Sequence, residues 1–235
     1  MAADDLPAPV VNFLNVIGVP WPYIDEDTVS EFATLVRNFG QAVQTTHEDA
    51  TRAVAGIVAA HQDASTANLQ SGWATMSAQH VDELVTGCQV LAEALDVAAG
   101  YVVAQKIEAV LTLAGMAAAF LADQAAAVAT AGLAEVAAPA IIEAAEQIVK
   151  SLEMDLQQYI AGQVIEAAAK PLFAKVEAAM AGLDWAQSTA TASASTGLSI
   201  DPEAVRVHTA ALRTHAQTMQ DHGARFHQGL QGLDF

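Results

Sequence analysis

The run Thr28-Val29-Ser30-Glu31-Phe32-Ala33-Thr34-Leu35-Val36-Arg37-Asn38-Phe39 decides the fold, because its apolar residues recur at the spacing of a helical seam. Read by sevens, Val29, Val36, Val43, Ala50, Ile57 and Ala64 share one register, and Phe32, Phe39, Thr46, Ala53 and Ala60 share the other. A sustained a/d pattern of this kind asks for a partner helix. Thr28 and Glu31 form a capping box, in which the threonine oxygen takes the amide three residues on and the glutamate returns the bond, so the helix is expected to begin there. No proline interrupts it, and the pattern predicts a helix to about Ala67. Gly40 and Gly56 each cost about 1 kcal/mol relative to alanine, which close helix contact would offset.

A second arm repeats the pattern with Val81, Cys88, Leu95 and Val102 against Leu84, Leu91 and Ala98, running towards Gly100. Between the arms, Asn68-Leu69-Gln70-Ser71-Gly72-Trp73 reads as a break, with Gly72 and Trp73 as the pivot of an antiparallel hairpin. Cys88 lies on the seam and reads as a small buried hydrophobe.

Ahead of the hairpin, four of the seven prolines fall at Pro7, Pro9, Pro20 and Pro22, which leaves room only for a short helix around Val10 to Ile17. Trp21, Pro22 and Tyr23 then read as a plug over the hairpin's open end, with about 150–250 Å² buried per ring. Beyond Gly100 the polarity falls, and Asp123 is the one charged residue between Glu108 and Glu135. The uncharged run Ala109 to Ala122 is shorter than the ~18–20 residues a bilayer requires, so a central helix buried on all sides is expected. Membrane insertion or channel formation by residues 101–138 is the alternative.

Thr130-Ala131-Gly132 marks a turn, and Pro139 suits the first turn of a helix running towards Ala169. Pro171 kinks or restarts it, and Leu172, Phe173, Val176, Met180 and Leu183 complete an apolar stripe. Residues 186–200 are small, polar and aperiodic, a linker. Asp201 then caps a last helix, Pro202 takes its first position, and Ile200 can staple onto Val205. Its seam is Val205, Leu212, Met219 and Phe226, with His208, His215 and His222 three residues after the first three. The expected architecture is all-α: an elongated helical bundle over 1–185 built on the hairpin, the linker, and an amphipathic heptad helix over 201–235. A helix of that length needs a surface to dock on, either the bundle or a partner.

The chain carries nine Lys and Arg against 27 Asp and Glu, a net charge of −18. That field repels phosphate backbones and anionic headgroups, which argues against nucleic acid as a partner. Residues 201–235 are nearly neutral, so the acidity lies in the body. Met1 is followed by Asp4 and Asp5 rather than by basic residues and an apolar run, so no signal peptide is read and export would take another route.

No cofactor, metal or catalytic residue is expected. Histidines seven apart are two turns, or about 10 Å, from each other, too far to share one ion. Charging His208, His215 and His222 would be expected to loosen the last helix if they lie on its seam. No nucleophile motif, phosphate loop or dinucleotide fingerprint occurs.

Trp21-Pro22, the acidic Asp25-Glu26-Asp27, the break at Trp73, the Ala/Val-rich middle, and Lys170-Pro171-Leu172 followed by Ala178-Ala179-Met180-Ala181-Gly182-Leu183 together resemble the WXG100-like N-terminal domain of actinobacterial polymorphic toxins and related secreted proteins. The resemblance implies a helical domain that directs a protein into type VII (Esx) secretion. It would be cytoplasmic before export and then secreted or at the cell surface. The implied partners are a small helical WXG100-like or chaperone protein, or a second copy, together with the secretion machinery. The family's motif places glycine two residues after the tryptophan, where this chain has Thr75 and carries Gly72 before it. The family's export signal is a tyrosine followed four residues later by an acid, which Tyr23 and Asp27 match ahead of the hairpin. With Phe235 as last residue, a fragment of a longer toxin or a stand-alone member is expected.

Overall fold

The structure, a computed structural model, describes residues 6–22, 24–60, 64–77, 81–129, 138–164 and 201–233. They form six helices and no strand: α1 (Ala8–Ile17), α2 (Glu26–Ala60), α3 (Ala64–Met76), α4 (Asp82–Ala129), α5 (Ala138–Val164) and α6 (Pro202–Gln231). The all-α expectation holds. The chain divides into two compact units, residues 1–31 with 94–165 and 234–235, and residues 32–93 with 166–233, so α2 and α4 each contribute to both. The linker expected at 186–200, the turn at Thr130 and the stripe from Pro171 to Leu183 lie outside the described residues.

In the first unit, α1 ends where Gly18 adopts φ 72°, the left-handed conformation that glycine enters without a Cβ penalty. The Val19 amide then reaches back to the Leu14 carbonyl at 3.1 Å. Val10, Phe13 and Leu14 of α1 and Trp21, which follows that helix, join Val102, Leu113 and Ala117 of this unit's part of α4, and Leu152 and Leu156 of α5, in one core. Phe13 meets Phe120 with ring centroids 5.5 Å apart, and Tyr101 stacks on Tyr159 at 3.7 Å. Pro139 falls in the first turn of α5, as its preorganised φ predicts.

The start of α2 differs from the expected capping box. The helix begins at Glu26, and Asp25 is the cap: its carboxylate accepts from the Asp27 amide at 3.2 Å and from the Thr28 hydroxyl at 3.3 Å. An aspartate three residues upstream competes on equal terms for the orphan amides, and Thr28, already donating to it, lies within the first turn. Glu26 and Asp27 also sit where the helix dipole favours negative charge.

The expected break is also absent. Residues 68–73 are helical within α3, so Gly72 and Trp73 are not the pivot. One glycine with no proline costs a helix about 1 kcal/mol, too little to end it. Trp73 contacts Thr51 and Ser77 contacts His47, so α3 runs antiparallel to the part of α2 that it faces. Gly100 does not interrupt the return arm either, since α4 is continuous over 48 residues.

The seams fare better. Val29, Val36, Val43, Ala50, Ile57, Cys88, Leu95, Ala98 and Val102 are all buried. The small size of Gly40 and Gly56 permits close contact, as expected. A Cβ at Gly40 would lie 2.9 Å from the Cβ of Cys88, and one at Gly56 would collide with the ring of His208. Burial pushes the Cys88 thiol above its usual pKa, consistent with a packing role.

The largest difference concerns α4. An apolar helix buried on every side was the expectation, yet one face is buried and the opposite face carries exposed Val97, Ile107, Leu111, Leu121 and Val128. Residues Asp82–Val128 are long and apolar enough to cross a membrane, and 22% of the most apolar window is buried. Alanines lower the polarity of both faces, so composition alone does not mark which of them is packed.

Candidate interaction site

In the second unit, α3 is held against α2 by a short polar relay. Trp73 Nε1 donates to Thr51 Oγ1 at 2.9 Å, and the Thr51 hydroxyl donates to the His47 carbonyl at 2.9 Å, one turn back along α2. The His47 ring stacks on the indole with centroids 5.3 Å apart and planes at 11°, and its Nε2 shares a hydrogen bond with Ser77 Oγ at 2.5 Å. His47 is buried, whereas Trp73 keeps part of its ring accessible. Beside it is a pocket of about 320 Å³ lined by Val54, Gln70, Trp73, Ala74, Ser77 and Asp82, among others. Its lining mixes the indole and small apolar side chains with polar ones.

Helix α6 lies along α2 in the same unit. Phe226 stacks on Phe39 at 4.6 Å, His222 Nε2 is 2.9 Å from Thr46 Oγ1, and a Cβ at Gly229 would lie 2.6 Å from Leu35. With His208 against Gly56, these contacts set the two helices antiparallel. Val205, His208, Leu212, His215, Met219, His222 and Phe226 are all half-buried, and no residue of α6 is fully buried. Asp201 caps the helix by accepting from the Glu203 and Ala204 amides, both at 3.1 Å. Truncating Phe226 to alanine should therefore lower the protection of α6 against amide hydrogen exchange by about 1–3 kcal/mol, less than a fully buried ring would lose, while α5 keeps its protection.

The remaining predicted residues are placed as follows. Tyr23 lies outside the described residues, and Asp27 is exposed in the first turn of α2. Trp21 and Pro22 are buried, and Trp21 belongs to the core of the first unit, where its Nε1 has no hydrogen-bond partner. Sequence reasoning missed two arrangements. One is the His47–Thr51–Ser77 setting of Trp73, signalled only by the one-turn spacing of His47 and Thr51. The other is a buried ion pair in the first unit, Lys106 Nζ to Glu26 Oε2 at 2.6 Å. Lys106 stands in step with Val102, Ala109 and Leu113 on the buried stripe of α4, and that register is the signal that could have found it. Among the described residues no group of His, Cys, Asp and Glu is arranged to hold a metal ion.

Residues 2–148 match the family model described as the WXG100 like domain, from α1 through α4 and into α5. The chain belongs to the WXG100-like domain family. Searches of curated proteins and of solved structures return no match. The WXG100-like region takes in the Trp73 relay and the Glu26–Lys106 pair, and α6 lies beyond it. Membership associates the chain with helical proteins of type VII secretion.

Proposed function

We propose that the chain is a non-enzymatic targeting and interaction module of a type VII secretion substrate, serving the export of a secreted toxin or effector. The observation that carries this reading is the WXG100-like match over residues 2–148. The relay that fixes Trp73 on α3 supports it, because an aromatic anchor with a rigid backing and an adjoining pocket suits helix recognition. In this reading the partner is a small helical WXG100-like or chaperone protein that docks beside Trp73. The chain is cytoplasmic while so bound and is secreted or surface-held afterwards. Tyr23 and Asp27 supply the signal-like pair that the machinery reads.

The test is to express the chain in a host with a working type VII system and in the same host with that system disabled. Appearance in the culture filtrate of the first host alone is the expected result, and equal release from both would overturn the reading. The rival, in which residues 101–138 enter a membrane, draws on the exposed apolar face of α4. It predicts that the folded chain floats with neutral liposomes, whereas the export module stays in the lower fraction.

A further inference from the structure

The pocket beside Trp73 carries a set of groups that selects the charge and shape of its occupant. Its walls come from α2, α3 and the first turn of α4, all within the second unit. Val54, Ala55 and Ala74 supply apolar surface. The His47 ring, stacked at 5.3 Å with planes at 11°, takes one face of the Trp73 indole, so the pocket meets the side of the ring that His47 leaves. The Thr51 and Ser77 hydroxyls are already engaged, with Trp73 Nε1 and His47 Nε2. The side chains of Gln70 and Asp82 are exposed and make no hydrogen bond or ion pair among the described residues, so their oxygens are left to accept. Asp82 is the one charged group among the described residues of the lining.

We infer that this pocket takes the arginine side chain of a partner. A guanidinium is planar and stacks on an aromatic face, and its forked donors match a carboxylate. Trp73 and Asp82 offer those two complements in one pocket. The methylene stem of an arginine covers apolar surface while its head stays polar, which suits Val54, Ala55 and Ala74. A lysine ammonium satisfies the carboxylate but brings no plane to the indole. An apolar side chain would take water from Asp82 and give it no partner, and an acidic one would meet both Asp82 and the field of a chain of net charge −18. The volume of about 320 Å³ lies at the lower end of the ~300–1,000 Å³ of small-ligand sites. The inference rests on reading this corner as the partner site, and it names the chemistry by which that partner is recognised.

The test uses the full chain with acetyl-arginine N-methylamide as probe, following the Trp73 indole N–H by heteronuclear NMR, with that resonance assigned from Trp73→Phe. The expected result is a saturable shift with a dissociation constant of roughly a millimolar, as suits one side chain in an open pocket. The neutral citrulline analogue should bind at least about fivefold more weakly, since it loses both the ion pair and the cation–π contact. The lysine analogue should also fall behind arginine. Asp82→Asn should weaken the arginine probe about two- to fivefold with an unchanged circular dichroism spectrum, because its carboxylate is exposed and a surface pair is worth little. Glu153→Gln on α5 makes the same change in net charge and should leave binding as it was. The inference is overturned if the arginine probe gives no saturable shift, if citrulline or lysine binds as tightly, if Asp82→Asn binds unchanged, or if Glu153→Gln loses as much as Asp82→Asn. Export of a chain that fails to bind the probe would sink this inference alone, whereas binding by a chain that is not exported would remove only the export reading.

Discussion

Replacing Lys106 with methionine should destabilise the first unit by about 3–5 kcal/mol, and adding Glu26→Leu should recover most of that loss. The Lys106 side chain is 2% exposed and that of Glu26 is 10%, so each charge has been taken out of water and depends on the other. Removing the cation alone leaves a buried carboxylate without its main counter-charge. Removing both replaces a desolvated pair with apolar volume, which is often neutral or stabilising. Urea denaturation of the wild type, the two single variants and the double variant closes the cycle. Equal and additive losses from the single changes would mean that the pair is not coupled.

The same residue fixes the sign of a pH effect. Desolvation holds the Lys106 ammonium below its usual pKa of 10.5, against the raising influence of Asp25 and then Asp27. Between its folded pKa and 10.5 the unfolded chain binds more protons than the folded one, so the Lys106 contribution to stability rises with pH across that window and is level below it. Cys88, whose folded pKa is raised, acts in the opposite sense above 9.0. The difference between wild type and Lys106→Met isolates the lysine, and it should slope upward with pH.

The second large effect is a contrast between neighbours on α4. Leu113→Ala should cost about 2–5 kcal/mol, because Leu113 is 0% exposed in the core and its truncation leaves a cavity. Leu111→Ala, two residues away and 70% exposed, should stay within about 0.5 kcal/mol. Denaturation midpoints of the two variants check this directly. Equal losses would restore the all-round buried helix, and no loss from either would mean that α4 does not anchor the core.

What was legible in the sequence was periodicity. Val29, Val36, Val43 and Ile57, and Cys88, Leu95 and Val102, were placed on buried faces because a seam is a property of spacing, which local sequence carries in full. The ends of elements were less legible. Asp25 and Thr28 are both good caps, and the choice between them depends on where Glu26 must go to meet Lys106, eighty residues on. The break at Gly72 failed for a similar reason, since a lone glycine is a weak signal and a tertiary contact from Trp73 to Thr51 keeps the helix whole. Of the candidate site, Trp73 is singled out in the sequence as a pivot, but His47 and Ser77 are not singled out at all. Their partnership exists only once α3 has folded back along α2.

The stacking of His47 on Trp73 also makes this corner of the molecule optically distinctive. The emission of an indole depends on the ring stacked against it and on its contact with water, so drawing Trp73 away from His47 changes its intensity and colour. Trp21, enclosed in the core of the first unit, and Trp185 contribute the rest of the emission, so replacing both with phenylalanine isolates the Trp73 signal. A chain so simplified carries its own light-borne report of whether α3 is seated on α2, readable without any label.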